Sequence, residues 1–130
     1  MSDGPDDREA MALRYARRAP LAGRYSALRP EVLWSMQEVE RAMIRYWRAA
    51  GWHTLADKRV VEVGCGAGGT LLELLRLGFA PEHVVGIDLL PDRVIAARRV
   101  LPSAVHVIEG DAAAAAIAAG SQEMVLAFTV

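Results

Sequence analysis

Glu62, Asp88 and Asp111 each lie within two residues of a glycine and close to a short apolar run. A carboxylate so placed accepts hydroxyl and amide hydrogens and balances a cation. Glu62 stands two positions before Gly64-Cys65-Gly66-Ala67-Gly68-Gly69. Closely spaced glycines there permit positive φ and leave no Cβ to block a ligand. Asp88 lies about twenty residues beyond the loop, the distance at which an acid meets the hydroxyls of a ribose. It could instead serve as the acid at a helix start, although Asp92, just after Pro91, suits that place better. Asp111 opens an alanine run, where Asp is a good N-cap.

These residues need particular elements to hold them. Val60, Val61 and Val63 are β-branched and favour extended backbone. The strand is apolar on both faces except at Glu62, as expected of a parallel strand covered on both sides. Leu71, Leu72, Leu74, Leu75 and Leu77 follow as an apolar helix, with Gly78 as its stop. The order strand, glycine loop, helix makes a weak glycine pattern informative. Residues 83–87 predict a second strand ending in Asp88, and residues 104–108 a third. Residues 112–119 predict an alanine-rich helix, and residues 124–128 a fourth strand.

Two glycine patterns overlap. Gly64, Gly66 and Gly69 fit G-x-G-x-x-G, the dinucleotide fingerprint, which places a pyrophosphate at a helix N-terminus. Glu62, Gly64, Gly66 and Gly68 fit E-x-G-x-G-x-G. With the Gly110-Asp111-Ala112 turn after the third strand, the second pattern resembles the class I, Rossmann-like S-adenosylmethionine-dependent methyltransferases. The resemblance runs from Arg59 to Val130. It implies an α/β fold with a doubly wound parallel sheet and S-adenosylmethionine as cofactor. S-adenosylmethionine has no phosphate and carries a sulfonium and an ammonium, so a carboxylate at the loop entrance suits it. Glu62 tilts the choice that way, unless it only accepts from loop N–H groups.

The resemblance implies a cofactor set residue by residue. Glu62 faces the methionine end, and Gly64, Cys65, Gly66 and Gly68 shape the loop. Asp88, with Leu89 beside it, holds the ribose. Asp111 accepts from the adenine amino group while the Ala112 N–H reaches a ring nitrogen. Phe128 lies beside the methionine portion, more as packing than as a specific ligand. Glu123 is the nearest counterpart of the family's acid at the fourth strand, although Gln122-Glu123-Met124-Val125 departs from the commoner aromatic-Asp-x-Val. No catalytic base can be named.

At 130 residues and a formal net charge of -1, one domain core is expected, with neither disorder nor a polyanion partner indicated. Cys65 is the only cysteine, which excludes an internal disulfide and fits a reducing, cytoplasmic compartment. It reads as a small apolar filler rather than a reactive thiol. No apolar run reaches membrane-spanning length, and the acidic start is not a signal peptide. The three histidines show no metal-ligand spacing with Cys65 or the acids.

Residues 1–57 read as an amino-terminal helical lid or extension, and 58–130 as the cofactor-binding core. From Glu31 to Ala50 an amphipathic helix sets Val32, Met36, Val39, Met43, Trp47 and Ala50 at helical spacing, with Glu38, Arg41, Arg45 and Arg48 opposite. Tyr15, Tyr25 and Trp34 are candidate lid residues. Residues 1–50 hold nine arginines against seven acids, too small a surplus to indicate a nucleic-acid partner. A small-molecule methyl acceptor is expected instead.

The family's sheet has strand order 3-2-1-4-5-7-6, and this sequence stops at the fourth strand. A truncated form is therefore expected, with self-association through the exposed fourth-strand edge as one consequence. A nicotinamide-dependent oxidoreductase and a non-catalytic cofactor-binding partner subunit stay open as alternatives.

Overall fold

The computed structural model describes residues 8–13 and 26–128. The chain divides between His53 and Thr54 into two units. In the first, residues 8–13 are helical, and α1 spans Pro30–Ala49. Pro30 opens α1 with its φ already helical, and Glu31 in the first turn and Arg48 in the last complement the helix dipole. The expected apolar stripe is only partly used. Met43 and Trp47 are buried, whereas Met36 and Val39 are exposed and Trp34 is 64% exposed. Tyr15 and Tyr25 lie outside the described residues.

The second unit is the sheet. Its elements are β1 (Val60–Val63), α2 (Gly69–Leu77), β2 (Val84–Asp88), α3 (Pro91–Val100), β3 (His106–Glu109) and β4 (Met124–Leu126). The strands run parallel in the order β3-β2-β1-β4. The chain moves outward from β1 to β3 and then returns to the other side of β1. That reversal between β1 and β4 is where open α/β sheets bind ligands, at the carboxyl ends of the strands. The glycine loop leaves β1 at that point. Val60, Val84, Ile87, Leu71, Leu74 and Val94 are fully buried between sheet and helices.

In-register residues of neighbouring strands share a face, so Glu62, Gly86 and Leu126 form one row across β1, β2 and β4. Gly86 is required there by space. A Cβ on it would stand 2.6 Å from Leu71 Cδ1 and 2.8 Å from Cys65 Sγ, both buried. Gly86→Ala is expected to cost about 1–3 kcal/mol through overpacking, read as a lower urea midpoint. An unchanged midpoint would mean that the glycine loop and α2 can move off the sheet freely.

Three expectations need correction, the first being the third strand, which begins at His106 because residues 104 and 105 belong to the turn before it. The alanine run forms only a single 3₁₀ turn, Ala112–Ala114, and residues 115–123 are irregular. None of residues 112–119 is buried, so high helix propensity has no packed face to support it. The fourth strand is also shorter than residues 124–128, ending at Leu126. Its outer residue Val125 is 63% exposed. On the β3 side, the Arg98 guanidinium donates to the Val107 carbonyl at 2.7 Å, occupying an acceptor of that strand.

Candidate functional site

The loop after β1 is tied down from the neighbouring strand. Gly64 N–H and Cys65 N–H both donate to the Ile87 carbonyl, at 2.8 and 3.0 Å. Gly66 N–H donates to Asp88 Oδ2 at 2.9 Å, and Gly68 N–H to the Cys65 carbonyl at 3.1 Å. Gly66 has φ +55° and Gly68 φ +90°, left-handed values that let the chain curl back over the end of β2.

Asp88 closes this arrangement from the β2 side. It is 3% exposed, and its other oxygen, Oδ1, accepts from Leu90 N–H at 3.0 Å, just ahead of Pro91 at the start of α3. Its carbonyl accepts from Gly110 N–H at 2.9 Å. One residue thus connects the glycine loop, the start of α3 and the turn after β3. Leu89 lies beside it, half-buried. Each carboxylate oxygen retains a second acceptor site, which is what a pair of ribose hydroxyls would use.

Glu62 is different. It is also 3% exposed, yet its Oε1 has no hydrogen-bond partner. Asp88, rather than Glu62, takes the loop amide. Burial pushes the Glu62 carboxyl up to about 7; the Thr70 side chain opposes this, and the nearby Asp88 charge adds to it. Among the described residues neither acid forms an ion pair. Cys65 is buried, and its thiol is pushed up to about 12 by burial and then by Asp88 and Glu62. A thiol so disfavoured as thiolate is inert at neutral pH, in keeping with its reading as a filler.

Asp111 is half-buried, and its Oδ1 accepts from Ala113 N–H at 3.0 Å, so it caps the 3₁₀ turn. Ala112 is the first residue of that turn. Phe128 follows β4 in irregular backbone and is half-buried. The fold therefore sets Glu62, the Gly64–Gly68 loop, Asp88 and Leu89, and Asp111 and Ala112 at the carboxyl ends of β1, β2 and β3, with Phe128 beyond that of β4.

One structural role was not legible in advance. Glu123 Oε2 accepts from Arg59 N–H at 2.6 Å, and the Glu123 N–H donates to the Arg59 carbonyl at 3.0 Å. This exchange fastens the start of β4 to the start of β1, at the end of the sheet opposite the glycine loop. No sequence signal links residues 64 apart in this way. Among the described residues no cluster of His, Cys, Asp and Glu could hold a metal, and no helix is long and apolar enough to cross a membrane.

The fold has counterparts among solved structures. No curated protein sequence matches this chain. Among solved structures, it is similar to an amino pentose methyltransferase from Micromonospora echinaspora involved in calicheamicin biosynthesis, determined with S-adenosylmethionine bound. The identity is 28% and the TM-score 0.52, over 71% of this chain and 35% of that one. It is also similar to an S-adenosylmethionine-dependent methyltransferase from Mesorhizobium loti, at 22% identity and TM-score 0.49, over 56% of this chain and 33% of that one. The matches thus span about a third of the length of these relatives. The family model described as a methyltransferase domain matches residues 60–130, from the first residue of β1 onward and over more than half of the chain. By that match, and by the parallel sheet and glycine loop that underlie it, the chain belongs to the methyltransferase domain family.

Proposed function

We propose that this chain binds S-adenosylmethionine and serves methyl transfer to a small-molecule acceptor. The observation that carries the reading is the pair of buried acids, Glu62 and Asp88, set at the glycine loop without a cation among the described residues. Such a cradle is electrostatically incomplete and favours a positively charged ligand. The loop amides point the same way. Those of Gly64, Cys65, Gly66 and Gly68 are committed to Ile87, Asp88 and Cys65, so they are not available to a pyrophosphate. A nicotinamide dinucleotide would also bring anionic phosphates toward two carboxylates.

When bound, S-adenosylmethionine supplies an electrophilic methyl group to an O, N or C nucleophile. The chain's residues bind and orient it. Glu62 faces the ammonium of the methionine end. Asp88 keeps its loop amides and accepts the ribose hydroxyls on its remaining lone pairs, with Leu89 packing alongside. The free acceptor capacity of Asp111 and the Ala112 N–H read the adenine edge, and Phe128 packs near the methionine portion. The catalytic contribution is positioning and exclusion of water. A small acceptor is favoured because the arginine surplus of residues 1–50 is too small to attract a polyanion. The 28%-identical relative acts on an amino pentose, which supports an acceptor of that size.

Calorimetric titration with S-adenosylhomocysteine, with NAD in parallel, tests the reading. Saturable binding of the first alone is expected. Asp111→Ala is expected to weaken it about tenfold, the worth of one hydrogen bond to a charged group. NAD binding that persists in Asp111→Ala, without S-adenosylhomocysteine binding, would overturn the reading.

A further inference from the structure

We infer that Glu62 holds a proton in the unliganded cradle and gives it up as an ammonium-bearing ligand enters, so that cofactor binding releases one proton. The inference rests on the S-adenosylmethionine reading above and concerns how that site handles charge.

The geometry sets the two acids apart. Asp88 receives two backbone N–H groups, from Gly66 and Leu90. Glu62, equally buried, has an oxygen that nothing among the described residues satisfies. A buried carboxyl with an unsatisfied oxygen, near a second carboxylate and with no cation paired to it among the described residues, favours its neutral form.

Among the described residues, the groups around Glu62 offer no alternative counter-charge. From β2 it meets the Asp88 charge, and from the loop the Cys65 thiol, which stays neutral. From the first turn of α2 it meets only the Thr70 hydroxyl. Its in-register neighbours, Gly86 and Leu126, are uncharged. With the Glu62 carboxyl at about 7, an arriving ammonium is enough to tip it. On binding, the Glu62 O–H bond breaks and the proton passes to solvent. The carboxylate left behind pairs with the ligand's ammonium, and nothing is oxidised or reduced.

The test is calorimetry on the full chain with S-adenosylhomocysteine, in two buffers of different ionisation enthalpy, repeated across pH. Close to one proton should be released at about pH 6 and roughly half of one at about pH 7, and Kd should tighten roughly tenfold between about pH 6 and pH 7.5. Methylthioadenosine, which lacks the amino-acid tail, should bind with a flat profile, and Glu62→Gln should flatten the profile for S-adenosylhomocysteine. Should that variant fold poorly, carbon-detected NMR titration of the Glu62 carboxyl in the native chain gives the same information. A midpoint near neutrality that falls on adding S-adenosylhomocysteine supports the inference. S-adenosylhomocysteine binding with no proton release and a flat profile overturns it and leaves the cofactor reading intact. Absence of binding at every pH overturns both.

Discussion

Asp88→Ala is expected to abolish S-adenosylhomocysteine binding, by a factor of at least about a hundred, and to destabilise the sheet unit by about 3 kcal/mol. The substitution removes the acceptor of Gly66 N–H at 2.9 Å and of Leu90 N–H at 3.0 Å together. Each is a charge-assisted bond, worth roughly 1.5–3 kcal/mol, and each donor would be left without a protein partner in a part-buried site. The loss for the ligand is larger than that of ribose contacts alone. Gly66 sits at φ +55° and, among the described residues, is held to the end of β2 through this carboxylate and the neighbouring amides on Ile87. Once released, the loop must pay its ordering entropy again at each binding event.

Asp88→Asn separates the two roles. An amide can accept at one oxygen only, and its NH₂ would face either Gly66 N–H or Leu90 N–H, donor against donor. Its expected cost is therefore intermediate in stability, about 1–2 kcal/mol, with binding still strongly reduced. Urea unfolding and calorimetry on the two variants read the two effects separately. If Asp88→Ala left stability unchanged, the loop would be held by the Ile87 carbonyl alone, and Asp88 would be a ligand residue only.

That double role shows where sequence reading stops. β1 and β2 were legible because each is a β-branched run ending in an acid or a glycine, a pattern that depends only on near neighbours. The parallel order β3-β2-β1-β4 was legible through the resemblance that the glycine loop and the later acids carry together. The division of labour between Glu62 and Asp88 was not. Both are acids beside glycines, and only the approach of Gly66 to the end of β2 decides which of them receives the amide. The alanine run misled for a related reason. Propensity favours helix over residues 112–119, but no apolar face there meets the sheet, and Asp111 caps a single turn instead. Glu123 matched a family position only loosely, and its bond to Arg59 depends on the pairing of β4 with β1.

Glu62→Gln is expected to stabilise the unliganded chain by about 2–3 kcal/mol above neutral pH and to leave it nearly unchanged in acid. Glu62 ionises near its ordinary value of 4.5 when unfolded but only at about 7 when folded. Between those values the folded state binds the extra proton, so stability is highest at the acid end and falls as pH rises through the window. Above it the folded chain carries a buried carboxylate with an unpartnered oxygen beside Asp88. Glutamine keeps the shape and removes the charge, so its variant should show no such decline. Urea midpoints of the two chains at about pH 5 and pH 8 would read the difference directly. Equal midpoints at both values would show that the carboxylate finds solvent or a counter-ion on ionising, and would remove the electrostatic incompleteness on which cation selection depends. The expected outcome makes Glu62 a residue kept at a cost in stability. A group that weakens the fold at neutral pH, and that a neutral isostere would relieve, is one whose charge is used when a cation occupies the cradle.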